Sequence, residues 1–198
     1  MVQGPGRTYQ TFTRMENSMI LITGNKGNIG SKLQEALRDS LGIDLKDGLN
    51  LLTCDLPKEV DIIYNLAAQS SVEASWSDPV YDMDNIRMTA RLVKEYPNAK
   101  IIYANSAAAQ NPVSPYGFSK WASGEYLKRF HPNYVNCVFP NVYGVGKKSV
   151  VDLFKGETKV TIYGDGLQTR DYVHVDDIVR GILLARYWDG GEYMMGSG

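Results

Sequence analysis

Cysteine is scarce in this sequence: Cys54 and Cys137 are the only two in 198 residues, far apart and each in an apolar, strand-like run. They show neither metal-ligand spacing nor the dense pattern of a secreted disulfide scaffold. Both are therefore read as buried free thiols in a reducing compartment, and no metal site is expected. Charge of one sign is lacking too, since 21 Lys+Arg against 22 Asp+Glu leave a formal net charge of −1. The electrostatic footprint of a nucleic-acid or anionic-membrane binder is thus missing, and phosphate recognition has to come from a local site. No apolar run is long enough to span a bilayer, and the polar start, residues 1–17, has no apolar core of a signal peptide. The expectation is a cytoplasmic protein in which residues 1–17 are a flexible tail or a remnant of cloning, outside the fold. Repeats and low-complexity blocks are absent. What is present, 43% hydrophobic and 22% charged residues, suffices for one well-buried globular domain with at most a small lobe attached.

From Met19 onward, short apolar runs alternate with helix-period segments. "MILIT" (19–23), "LGIDL" (41–45), "VDIIYNLA" (60–67), "KIIYA" (100–104) and "YVNCVF" (134–139) read as strands. Ile29, Leu33, Ala36 and Leu37 recur at helical spacing, as do Ile86, Thr89, Leu92, Val93 and Tyr96. A further helix is predicted over 116–130, entered through a proline. Beyond Phe139 the pattern loosens to a short strand and turn in "VTIYGDG", a helix over 176–188 and a last strand at "EYMM". Continuous apolar strands separated by helices imply a parallel sheet covered on both faces, the doubly wound α/β (Rossmann-type) class.

"TGNKGNIGSKL" (23–33) lies between the first strand and the first helix, with glycines at 24, 27 and 30. A tight turn there needs positive φ, close approach to a pyrophosphate forbids a Cβ, and a helix N-terminus offers oriented N–H groups to the anion. Asp44 closes the second strand, 44 − 24 = 20 residues after Gly24, the separation at which a carboxylate takes the adenosine ribose hydroxyls. A carboxylate there repels a 2′-phosphate, which favours NAD over NADP. Asp55, read as lying at a strand end in "CDL", is a candidate for the adenine amine.

In "SPYGFSK" (114–120), Tyr116 and Lys120 are four apart and so share one helix face. A phenol of pKa near 10 is a poor base; a nearby ammonium and an oxidised nicotinamide would favour its phenolate and make it a usable general acid/base. Ser106, after the fourth strand, could hold the substrate oxygen at the C-terminal edge of the sheet. By spacing alone, an amphipathic helix with an incidental Tyr and Lys remains equally open.

Gly24, Gly27 and Gly30, "NLAAQSSVEAS", Ser106, "SPYGFSK", "FPNVYG" and "IYGDGLQTRDYVHVDDIVRGI" together resemble, in that order, the extended short-chain dehydrogenase/reductases, especially nucleotide-sugar epimerases of the UDP-glucose 4-epimerase type. The resemblance implies Tyr116 as acid/base, Lys120 as the nicotinamide-ribose ligand that lowers the tyrosine pKa, Ser106 as hydrogen-bond partner of the reacting oxygen, and Asn85 as organiser of the site. It adds Asn28, Ile29, Leu56 and Ala67 to the cofactor contacts. It makes Asn141 a substrate ligand and Arg170 the grip on the substrate diphosphate, while His174 and Asp176 are structural. Residues 18–139 would form the NAD-binding domain, and 140–198 a minimal substrate lobe with a returning helix and strand. Related dehydratases follow the serine or threonine with an Asp-Glu pair; here Ala107, Ala108 and Ala109 follow, which favours redox-neutral epimerisation of a UDP-sugar through a 4-keto intermediate. A keto-sugar reductase and a silent NAD binder are the alternatives. A homodimer through helices over 82–96 and 116–130 is a further implication.

Overall fold

The computed structural model of the protein describes residues 18–144 and 164–196. Strands β1 (Ile20–Thr23), β2 (Leu41–Ile43), β3 (Ile62–Asn65), β4 (Lys100–Ser106), β5 (Tyr134–Phe139) and β8 (Gly191–Met194) form one sheet in the order β2-β1-β3-β4-β5-β8. All its pairings are parallel. Two short strands, β6 (Asn141–Tyr143) and β7 (Tyr172–His174), pair separately, also in parallel. The helices are α1 (Asn28–Ala36), α2 (Val72–Ser77), α3 (Pro79–Glu95), α4 (Pro115–Phe130) and α5 (Val175–Ala185).

The period-two alternation of the strands sorts their side chains between two cores. Leu21, Ile63, Ile101 and Tyr103 pack with Leu92 of α3 and Leu127 of α4 on one face. Ile22, Ile62, Tyr64 and Ile102 pack with Leu33 of α1 and Ile178 and Ile182 of α5 on the other. A sheet so covered has no wet face, which is why its strands read as unbroken apolar runs. None of the helices among the described residues is long and apolar enough to cross a membrane.

Helix entry follows local chemistry. Ser114 accepts from the Gly117 N–H at 3.0 Å, with Pro115 in the first turn, which starts α4 just ahead of Tyr116. Asp78 accepts from Tyr81 N–H at 3.3 Å, again followed by proline, so α3 begins at Pro79, ahead of the apolar positions that recur from Ile86. The strand expected at "VTIYGDG" lies mostly outside the described residues, and 164–166 form a turn.

The chain reverses direction across the sheet between β1 and β3: β2 lies to one side of that pair and β4 to the other. Such a switch point leaves a crevice at the C-terminal strand ends, where open α/β sheets bind ligands.

Candidate active site

A cleft of about 1320 Å³ opens at that edge. Of the expected cofactor residues, Gly24, Gly27, Asn28, Ile29, Gly30, Asp44 and Ala67 line it, and so do Asn85, Ser106, Tyr116 and Lys120. These residues are distant along the chain, and the parallel sheet brings their strand ends to one rim.

Gly24 has φ +73° and its backbone touches the segment after β3: a Cβ there would come within 2.8 Å of the Ala67 nitrogen. Gly30 is excluded from carrying a side chain by the loop itself, because a Cβ would lie 2.1 Å from the Gly24 carbonyl oxygen. The loop therefore folds back tightly on the start of α1, whose N-cap, Gly27, provides no side-chain acceptor. The first N–H groups of α1 are left for an anion. Asp44 braces the same loop, its carboxylate accepting from the Lys26 N–H at 2.8 Å and the Lys46 N–H at 2.9 Å. Two donors leave lone pairs on both oxygens for further hydroxyl groups.

Tyr116 and Lys120 lie on α4 beneath the opposite wall, both buried. Burial pushes the Tyr116 phenol up; a hydrogen bond with Ser106 pulls it down and the charge of Asp82 adds to the rise. The lowering expected from Lys120 is not what the protein alone produces. Its Nζ donates to the Ala104 carbonyl at 2.8 Å and lies 4.7 Å from the centre of the Tyr103 ring, and burial brings its pKa down to about 7. Desolvation outweighs attraction between the two groups, and the phenol stays protonated.

A buried polar chain that the sequence reading missed ties the loop strand to the catalytic helix. Thr23 donates to Asn65 at 2.9 Å and accepts from the Ala67 N–H at 3.2 Å. Asn65 reaches Thr89 at 3.4 Å, and Thr89 donates to the Asn85 carbonyl at 3.0 Å. The Asn85 amide donates to Ser119 at 2.9 Å, and Ser119 donates to the Tyr116 carbonyl at 2.8 Å. Polar residues ending two otherwise apolar strands, Thr23 and Asn65, were the available signal. Asn85 also holds Gln69, which in turn places its amide 3.4 Å from both oxygens of Asp82; burial raises the pKa of that carboxyl.

Four expected residues stand elsewhere. Asp55 and Leu56 are not at a strand end but follow a turn, and they line a separate hollow of about 250 Å³ with Arg91 and Tyr96. Arg91 fastens that turn to α3 by donating to the carbonyls of Leu51 and Cys54 at 2.6 and 2.7 Å; Leu51 still lines the cleft, while Asp55 and Leu56 lie beyond it. Asn141 on β6 and Arg170 are exposed and are not among the described lining residues; they donate to the backbone carbonyls of Asp171 and Thr169. His174 has the structural part expected of it, since its Nδ1 accepts from the Asp176 N–H at 3.2 Å and caps α5.

The profile of the NAD dependent epimerase/dehydratase family matches residues 20–194. The chain belongs to this family. A Methanocaldococcus jannaschii protein provisionally named as a UDP-glucose 4-epimerase is 32% identical over 90% of the chain and 67% of its own length. Among solved structures of the family's fold, MoeE5 in complex with UDP-glucuronic acid and NAD superimposes with a TM-score of 0.79 at 27% identity, covering 91% of this chain and 77% of that one. The dTDP-glucose 4,6-dehydratase DesIV from Streptomyces venezuelae shares the fold, with a TM-score of 0.77 at 23% identity over 91% of this chain and 76% of its own.

Proposed function

We propose that the protein is an epimerase acting at C4 of a nucleotide sugar, with a UDP-sugar as substrate and NAD as cofactor. The carrying observation is that Ser106, Tyr116 and Lys120 meet the glycine loop in one cleft while the three residues after Ser106 are alanines. The names of the M. jannaschii relative and of MoeE5 with its UDP-sugar support the substrate class.

The residues present fit a dinucleotide. The loop at Gly24 and Gly30 admits no Cβ, the N–H groups opening α1 have no side-chain cap, and the Asp44 carboxylate has lone pairs to spare for ribose hydroxyls. When bound, NAD supplies a hydride acceptor that can return the hydride to either face of the sugar. The chain's own residues do the rest. Tyr116 takes the proton of the C4 hydroxyl as that carbon is oxidised and gives it back after the 4-keto sugar has turned over. Ser106 donates to the same oxygen and holds it in place. Lys120 offers its ammonium to the nicotinamide ribose and, with the positive ring nearby, shifts Tyr116 toward phenolate. Asn85 fixes α3 against α4 through Ser119. A water elimination lacks the acid it needs at positions 107–109.

We also assign Asn141 and Arg170 to the substrate's uridine diphosphate side, in a lobe comprising residues 140–198; a planar guanidinium suits a diphosphate. A homodimer is supported by exposed apolar groups on the two long helices, Tyr81 and Met83 on α3 and the Phe118–Trp121 pair on α4 with ring centres 5.6 Å apart. The two free thiols, Cys54 and the buried Cys137, support a reducing, cytoplasmic setting.

The deciding experiment identifies small molecules released on denaturing freshly purified protein and then assays interconversion of UDP-glucose and UDP-galactose without added NADH. Retained NAD and interconversion are expected. Turnover that consumes one NADH per product would make it a reductase, and absence of any turnover across UDP-sugars would remove the catalytic reading.

A further inference from the structure

Lys120 is 4% exposed, and among the described residues no carboxylate pairs with it. An isolated ammonium in such a place ordinarily surrenders its proton, because burial disfavours the charged form. Two contacts oppose that loss. One is the Ala104 carbonyl at 2.8 Å. The other is the face of Tyr103, whose ring centre is 4.7 Å from Nζ. Tyr103 sits on β4 with 1% exposure, and it is paired in register with Asn136 of β5. Its hydroxyl makes no hydrogen bond of normal geometry, and Ser123, the polar group beside it, only partly offsets the rise that burial gives its pKa. Whatever its hydroxyl does, the ring of this buried phenol faces the ammonium, and a desolvated aromatic face attracts a cation.

The other groups facing Lys120 do not supply a counter-charge. Tyr116 stands one turn earlier on α4, its pKa raised by burial; Ala104, Asn105 and Ser106, which line the cleft with Lys120, carry no charge, and Asp84 of the same cleft pairs with Arg87. From α3, Asp82 presents a carboxyl whose field reaches Tyr116, but burial raises its own pKa; Glu73 on α2 is exposed.

We propose that Tyr103 is a positioning residue that keeps the Lys120 ammonium charged and directed to the Ala104 rim of the cleft through its ring face, with no part played by its hydroxyl. The inference rests on Lys120 being part of the catalytic set. It concerns the lysine itself, so it can be tested whether or not turnover is found.

The test is a lysine side-chain titration by NMR on the full chain labelled at lysine Cε, with the Lys120 signal assigned by its loss in Lys120→Met. Tyr103→Phe keeps the ring and should leave the Lys120 midpoint within a few tenths of a unit. Tyr103→Leu removes the face and should lower the midpoint by about one unit, the size expected of a desolvated cation–π contact. A multiply fluorinated phenylalanine at 103 has nearly the shape of phenylalanine but a weakened face, so it should lower the midpoint too; it covers the case in which Tyr103→Leu fails to fold. A purely packing role predicts no difference between the fluorinated and plain rings. That result, or a drop in Tyr103→Phe equal to that in Tyr103→Leu, overturns the inference. In an active enzyme the alkaline limb of kcat should move down in parallel. Absence of turnover with a shifted titration would count against the epimerase reading alone.

Discussion

Asn85 grips Gln69 from both sides: its side-chain oxygen accepts from the Gln69 N–H at 2.9 Å, and its side-chain nitrogen donates to the Gln69 carbonyl at 3.2 Å. One asparagine thereby replaces a strand partner for a residue that follows β3 and forms part of the cleft wall. Asn85 is 2% exposed, and Asn85→Ala leaves both backbone groups of the half-buried Gln69 and the buried Ser119 short of a partner. Each such loss costs about 1–3 kcal/mol, so the variant is expected to be less stable by roughly 3 kcal/mol. Urea unfolding measures this, and a loss under about 1 kcal/mol would mean that the clasp contributes little.

Tyr116→Phe removes the proton-carrying oxygen and little volume. Turnover should fall by at least about a hundredfold, while NAD affinity measured by calorimetry stays near the wild-type value. Near-normal epimerisation by this variant would sink the assigned mechanism.

Lys120 sets a pH dependence whose sign is fixed by its lowered pKa, about 7 against an ordinary 10.5. Below pH 7 the lysine is protonated whether the chain is folded or not, and the cost of burying the charge is fully felt. Between about 7 and 10.5 the unfolded chain holds the extra proton, so stability rises with pH. Above that range both states are neutral. Lys120→Met should therefore be more stable than the wild type at pH 6, by a few kcal/mol, roughly the linkage value of that separation. Its advantage should shrink toward zero by pH 10. Thermal unfolding of both proteins across this range is the check, and a constant difference would place the lysine proton elsewhere.

For cofactor choice, Asp44→Ala deletes the acceptor of the Lys26 and Lys46 N–H groups along with the negative charge. NAD should bind more weakly and the preference over NADP should narrow, because the group that repels a 2′-phosphate is gone. Competition titrations of the two cofactors read the ratio directly; an unchanged ratio would assign discrimination to another residue.

Much of the fold was legible because strands buried on both faces announce themselves. "YVNCVF" coincides with β5, and the runs at 19–23, 41–45 and 60–67 each contain a shorter strand. The glycine loop and the Tyr116–Lys120 pair were legible for a different reason, since each encodes a local geometry in a short span. Failures came where partners are remote. Nothing around Asp55 in the sequence shows that Arg91 fastens its turn to α3. The α2 segment, "VEASWS", has no clear apolar period and is held by the Ser71 cap. That burial raises the Tyr116 pKa in the protein alone was not legible either, because spacing reports proximity along a helix but not the depth of burial.

Strand β8 pairs with β5 through residues 191–194, while β5 itself ends at Phe139. During synthesis the first five strands of the sheet emerge more than fifty residues before the strand that covers the flank of "YVNCVF". At the roughly 5–20 residues added per second on a ribosome, this apolar edge waits for several seconds with its backbone groups unpaired. Such an edge is a template for joining another chain. The nascent protein is thus most exposed to aggregation, and most in need of a chaperone, in the interval between β5 and β8.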